Sequence, residues 1–102
     1  MIRVIATIET LPGKRDELVE LFRQLAPKVR AEEGCLEYAP MIDLPTTVAA
    51  QPPAREDAVT VVEQWASIEA LEAHLMAPHT IEFRRLSGPL RRGVTLHVLR
   101  PA

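Results

Sequence analysis

The sequence predicts an α+β fold of the ferredoxin-like kind, β-α-β-β-α-β, with one antiparallel sheet carrying its helices on one face. Three observations predict it. Apolar residues alternate two by two at both ends of the chain, and a valine-rich β run lies in its middle. Helical spacing fills the stretches between the first and second strands and between the third and last.

Ile2, Val4, Ala6 and Ile8 alternate with Arg3, Ile5, Thr7 and Glu9, the period of a strand, and Leu11-Pro12-Gly13 ends it with turn chemistry. From Lys14 the period changes. Leu18, Leu21, Phe22, Leu25 and Val29 form one face of an amphipathic helix, opposed by Arg15, Glu17, Glu20 and Arg23. Asp16 and Glu17 fall in its first turn, where the helix dipole favours anions. Pro27 removes a ladder donor and should kink the helix or split off its last turn, and Gly34 is a natural C-terminal cap.

Cys35 to Leu44 reads as a second strand, with Pro40 marking an edge or a bulge. Residues 45–57 hold three prolines and read as a loop, with room for a short extended piece at Thr47 to Ala50. Ala58 to Trp65 is the third strand. Ser67 is a good N-cap for a helix lined by Ile68, Leu71 and Leu75, which Pro78 closes. Thr80 to Leu86 reads as a further short helix. Val94, Leu96 and Val98 alternate with Thr95, His97 and Leu99 in the final strand. The helix-free face of the sheet would carry Ile5, Val62 and Leu99, and a homodimer that joins two sheets into a barrel would cover it.

The chain has 102 residues, which is one domain spanning 1–102. At that length folding buries only roughly 60–65% of the unfolded surface, so association is expected. No apolar run approaches the ~18 residues of a membrane span, and the first residues lack a signal-peptide pattern. With a single cysteine, Cys35, no internal disulfide can form, and a reducing cytoplasm is the simplest compartment. A net charge of −2 gives no field that would gather nucleic acid or anionic membrane. All 14 acids precede residue 84, while Arg84, Arg85, Arg91, Arg92 and Arg100 follow without one. Lacking interleaved aromatics, these arginines suit a solvated or inter-subunit face better than a nucleic-acid footprint.

Several chemistries are excluded by what is missing. Four glycines, at 13, 34, 88 and 93, spell no phosphate-binding loop, and there is no nucleophile elbow. His74 and His79 are five apart with Pro78 between them. On one helix the second side chain would turn about 140° away, so no metal site is expected. Cys35, at the start of a strand, reads as a small buried hydrophobe. The candidates for a convergent site are Glu63, Trp65, His74 and His79, with Tyr38 on the neighbouring strand. Each also has a plain structural role: Trp65 as core, His74 as a half-buried end of its helix, His79 at the start of the next. His97, beside Thr95 and Leu99, reads as structural. Glu63 alternates with apolar Val61 and Trp65, a pattern that allows an inward carboxylate, and a buried one needs a partner, for which an arginine or His74 would serve.

Two segments carry a family resemblance: Glu32-Glu33-Gly34-Cys35-Leu36-Glu37-Tyr38-Ala39-Pro40-Met41, and the run from Val62-Glu63-Gln64-Trp65-Ala66-Ser67 through Ala70-Leu71-Glu72-Ala73-His74-Leu75-Met76-Ala77-Pro78-His79. They resemble the antibiotic-biosynthesis monooxygenase domain, most closely its bacterial quinol monooxygenase branch. Leu11-Pro12-Gly13-Lys14 and the closing Leu99-Arg100-Pro101 fit as well, and the match is weakest at the proline loop. The resemblance implies a dimeric α+β barrel that oxygenates a quinol or polyphenol with O2 and no metal, haem or flavin. It implies His74 as base, with Trp65 and Glu63 beside it. Trp65, Met41, Leu71 and Phe83 would wall the pocket, and Tyr38 would bond a substrate oxygen. Glu63 or His79 would orient His74 or shuttle its proton, and a quinone reductase would supply the quinol. Haem-degrading relatives use an asparagine on the first strand, and this chain contains none. The alternatives are a non-catalytic dimeric carrier or sensor using the same pocket, and an isomerase or cyclase that consumes no oxygen.

Overall fold

The computed structural model describes all 102 residues. The elements run β1 (Ile2–Thr10), α1 (Arg15–Arg30), β2 (Cys35–Met41), β3 (Ala58–Trp65), α2 (Ile68–Leu75), α3 (Pro78–Ser87), a short 3-10 turn (Gly88–Leu90) and β4 (Arg91–Leu99). The four strands are all antiparallel in the order β2-β3-β1-β4, the ferredoxin-like arrangement, so β1 and β3 are central and β2 and β4 are edges.

Register places the inner face. Val4 pairs with Glu63, Ala6 with Val61 and Ile8 with Val59, and all six are buried beneath the helices. α1 lays Leu18, Phe22, Leu25, Ala26 and Val29 on this face, the stripe its spacing dictates. β4 extends past the helical cover. Val94, Leu96 and Val98 pair with the buried Ile8, Ala6 and Val4, yet all three are exposed. On the opposite face Ile5 and Val62 are half-buried and Leu99 is exposed.

Four features of the chain depart from what its sequence predicts. α1 runs unbroken to Arg30 with Pro27 inside it, so the proline does not split off the last turn. The helix ends on Ala31, and Gly34 instead sits in the following turn at φ +83°. β2 stops at Met41 rather than Leu44, and residues 47–50 form no strand. Pro78 opens α3 rather than closing α2, taking the first helical position, where its missing N–H costs nothing. Ser67 caps α2 as expected, its Oγ accepting from Ala70 N at 3.2 Å.

The proline loop is pinned by polar contacts. Asp43 accepts from the Arg55 backbone and from two guanidinium nitrogens at 2.8–2.9 Å, and Asp57 accepts from Gly13 N at 3.1 Å. The guanidinium of Arg55 holds the Asp43 carboxyl well below the usual carboxylate range. No helix is long and apolar enough to cross a membrane.

Candidate active site

The site forms where the inner face of β2 and β3 meets the turn after α1 and the junction of α2 with α3. Tyr38 lies opposite Glu63 in the ladder, so both point inward, and Trp65 follows two residues on along the same face. Tyr38, Glu63, Trp65 and His74 are each at most 5% exposed. The Trp65 indole Nε1 donates to Glu63 Oε1 at 2.9 Å. The His74 ring lies 4.7 Å from the Trp65 ring and 5.7 Å from that of Tyr38.

Two backbone features bring the histidines together. α2 ends at Leu75, and Ala77 takes an extended conformation (φ −64°, ψ 142°) because Pro78 follows it. The chain changes direction there, so His74 closes one helix and His79 opens the next. The expected divergence of about 140° holds only for one continuous helix, and the break overturns it. Both side chains reach the same oxygen. Glu32 Oε2 lies 2.8 Å from His74 Nδ1 and 2.8 Å from His79 Nε2.

Glu32 reaches them from the turn after α1. Cys35 N donates to Glu32 O at 3.2 Å, and Ala66 N donates to Gly34 O at 2.8 Å, tying the turn to the β3–α2 connection. Arg30 Nε donates to Tyr38 O at 3.1 Å, fixing the end of α1 against β2. Glu32 carries no role predictable from the sequence. Its one local signal is its place two residues before a glycine in the turn after α1; its partners lie 42 and 47 residues away.

The electrostatics follow from burial. Glu63 is pushed up to about 7, chiefly by desolvation, with the Trp65 N–H opposing and the Glu32 charge adding to the rise. Burial, with Glu63 and Glu32 nearby, pushes the Tyr38 phenol above its ordinary value, so it stays a protonated donor. No protein group accepts from it. Cys35 is a half-buried packing residue whose thiol burial pushes up.

The other expected wall residues fall in different places. Leu71 is buried in the core. Phe83 packs on Phe22 with ring centroids 4.6 Å apart and lines a groove of about 100 Å³ that also includes His79. Met41 is exposed at the end of β2, where it borders a cleft of about 490 Å³ between α1 and the sheet edge. Met41 and Phe83 therefore line separate cavities. His97 is exposed on the opposite face, paired with Ile5.

Comparison with known proteins bears on the chemistry. A model of the family described as antibiotic biosynthesis monooxygenase matches residues 1–86. The chain is 46% identical over 81 residues to the probable quinol monooxygenase YgiN of Escherichia coli K12, covering 78% of this chain and 77% of that protein. Among solved structures, PA3566 of Pseudomonas aeruginosa superposes with a TM-score of 0.79 at 33% identity, covering 99% of this chain and 94% of that one. Rv0793 of Mycobacterium tuberculosis gives 0.80 at 27% identity, with 99% and 94% covered.

Proposed function

The chain belongs to the antibiotic biosynthesis monooxygenase family, and on that premise we propose that it oxidises a small quinol with dioxygen, using His74 as the base and no resident cofactor. The observation that carries this reading is the 2.8 Å contact between Glu32 Oε2 and His74 Nδ1. A carboxylate there holds the proton on Nδ1 and leaves the Nε2 lone pair free, the arrangement that orients a catalytic imidazole.

His74 Nε2 takes one hydroxyl proton from the quinol, and Glu32 stabilises the imidazolium that forms. The electron-rich anion passes one electron to dioxygen. The resulting semiquinone and superoxide recombine at a ring carbon to a peroxide anion, and His74 returns its proton there to give the hydroperoxide. Loss of the ring C–H proton as the O–O bond breaks expels hydroxide, the two leave together as water, and quinol and O2 become hydroxyquinone and water. Trp65 and Tyr38 give the site aromatic walls that limit water, and the Tyr38 hydroxyl is free to donate to a substrate oxygen. Glu63 holds Trp65 in place through the indole N–H.

The working unit is a homodimer in the cytoplasm, supplied with quinol by a quinone reductase. The uncovered apolar residues of β4 and of the helix-free face support the dimer.

Oxygen uptake with a reduced naphthoquinol tests the reading, comparing chelator-treated protein with His74→Ala. Uptake well above that of the variant is expected. Equal rates with tight quinone binding would convert the assignment to a carrier or sensor, and equal rates without binding would remove the quinol.

A further inference from the structure

The same junction has a second capacity that the proposed reaction does not use. Glu32, His74 and His79 each offer one ligand atom, and these atoms lie within 4.8 Å of one another. They come from three separate elements: the turn after α1, the end of α2 and the start of α3. We propose that Glu32, His74 and His79 form a three-ligand site for a divalent transition metal of the zinc type, and that metal there switches the base off. The switch-off rests on the role of His74 proposed above, whereas the metal site itself does not.

Two imidazoles and one carboxylate are a donor set that suits zinc, and three protein ligands leave a fourth position for water. His79 is 24% exposed and Glu32 14%, so an ion can enter from the His79 side, while His74 is held at 5% against the aromatic wall. The two nitrogens now sit 2.8 Å from Oε2, as hydrogen-bonded pairs do. Bond lengths of about 2.0–2.1 Å in a tetrahedral site place ligand atoms roughly 3.3 Å apart. Seating an ion therefore requires the Glu32 and His79 side chains to rotate, opening the two 2.8 Å contacts and bringing all three ligand atoms, now within 4.8 Å, to that spacing.

The consequence for the base is a matter of proton placement. Metal at His74 Nδ1 displaces the proton that Glu32 holds there. A neutral imidazole ligated through one nitrogen carries its proton on the other. Nε2 then has no lone pair to offer a quinol. Metal binding releases protons from the site, and quinol deprotonation stops.

The test titrates metal-free protein with Zn2+ against a chromophoric chelator and follows quinol-dependent oxygen uptake in parallel. One ion per chain is expected. Glu32→Gln and His79→Gln should each weaken binding by more than about tenfold, since loss of even an outer partner has that effect. Both positions are partly solvent-facing and the replacements similar in size, and circular dichroism checks their fold. Uptake should fall in step with occupancy and return on adding chelator. Binding no tighter in the wild type than in the double variant overturns the site. Ligand-dependent binding with uptake unchanged or raised overturns the switch. A wild-type protein with no quinol uptake would remove the proposed reaction while the zinc stoichiometry still decided the site.

Discussion

Glu32 Oε2 stands 2.8 Å from His74 Nδ1, joining a turn residue to the end of a helix 42 positions later. Nothing else with a negative charge contacts that nitrogen; the other polar neighbour is Thr80 Oγ1 at 3.5 Å. In the proposed reaction this contact makes Glu32 a positioning residue, one that sets the tautomer of His74 without touching substrate. Glu32→Gln should lower kcat about 10- to 100-fold with KM little changed, the size of effect that losing an outer partner has and smaller than the roughly 10²–10⁴ that the general base itself contributes. Glu32→Asp should recover part of the loss. A purely structural role would instead lower melting temperature and leave kcat per folded molecule intact.

Glu63 gives the fold a pH dependence of definite sign. Its carboxyl is raised from an ordinary 4.5 to about 7 in the folded protein by burial. The folded state thus holds a proton that the unfolded chain has already released between these values. Stability contributed by this group is fully present below about 4.5 and is lost as pH rises through about 7. A shift of this size corresponds to on the order of 3 kcal/mol, taking 1.36 kcal/mol per unit. Urea unfolding of the wild type should weaken from about pH 5 to 8, and Glu63→Gln should flatten that decline. Parallel slopes for the two proteins would mean that Glu63 is ionised in the folded state.

Strand and helix periods made most of the fold legible, because burial on one face imposes them directly on the residues. The third strand was bounded at Ala58 and Trp65 from its valines alone. Glu63 and Trp65 were readable as inward-facing for the same reason. What stayed hidden depends on chain direction at two short joints. The extended Ala77 before Pro78 decides whether His74 and His79 diverge or meet, and a period of 3.6 cannot register one residue leaving the helix. Glu32 lay outside any periodic pattern, so its pairing with both histidines followed only once the turn at Gly34 was placed.

The uncovered sheet surfaces predict association. Ile5 and Val62 face away from the helices, and Leu99 is 47% exposed beside them. Sedimentation equilibrium at micromolar concentration should return twice the 11.4 kDa chain mass. Val62→Asp should return the single chain with its circular dichroism retained, since Val62 is only half-buried within one chain. A wild-type protein that sediments at 11.4 kDa would sink the dimer.

Gly34 is the residue on which the Glu32 turn depends, for two separable reasons. Its φ of +83° lies in the left-handed region, which costs an alanine roughly 1–2 kcal/mol. A Cβ there would also stand 2.6 Å from the Ala70 Cβ on α2, a contact that forces backbone or helix to shift. Overpacking of this kind costs about 1–3 kcal/mol. Gly34→Ala should therefore destabilise by about 2–5 kcal/mol in urea melts, the sum of both effects. Ala70→Gly removes the contact at the ordinary helix penalty of about 1 kcal/mol. The double variant should then be less destabilised than the two singles added together, by an interaction of about 1 kcal/mol or more. The residual deficit would be the backbone strain. Strict additivity would mean that α2 yields freely at Ala70. In that case Gly34 would be required by its dihedral angle alone, and the 2.8 Å reach of Glu32 to His74 would rest on the turn rather than on its packing against α2.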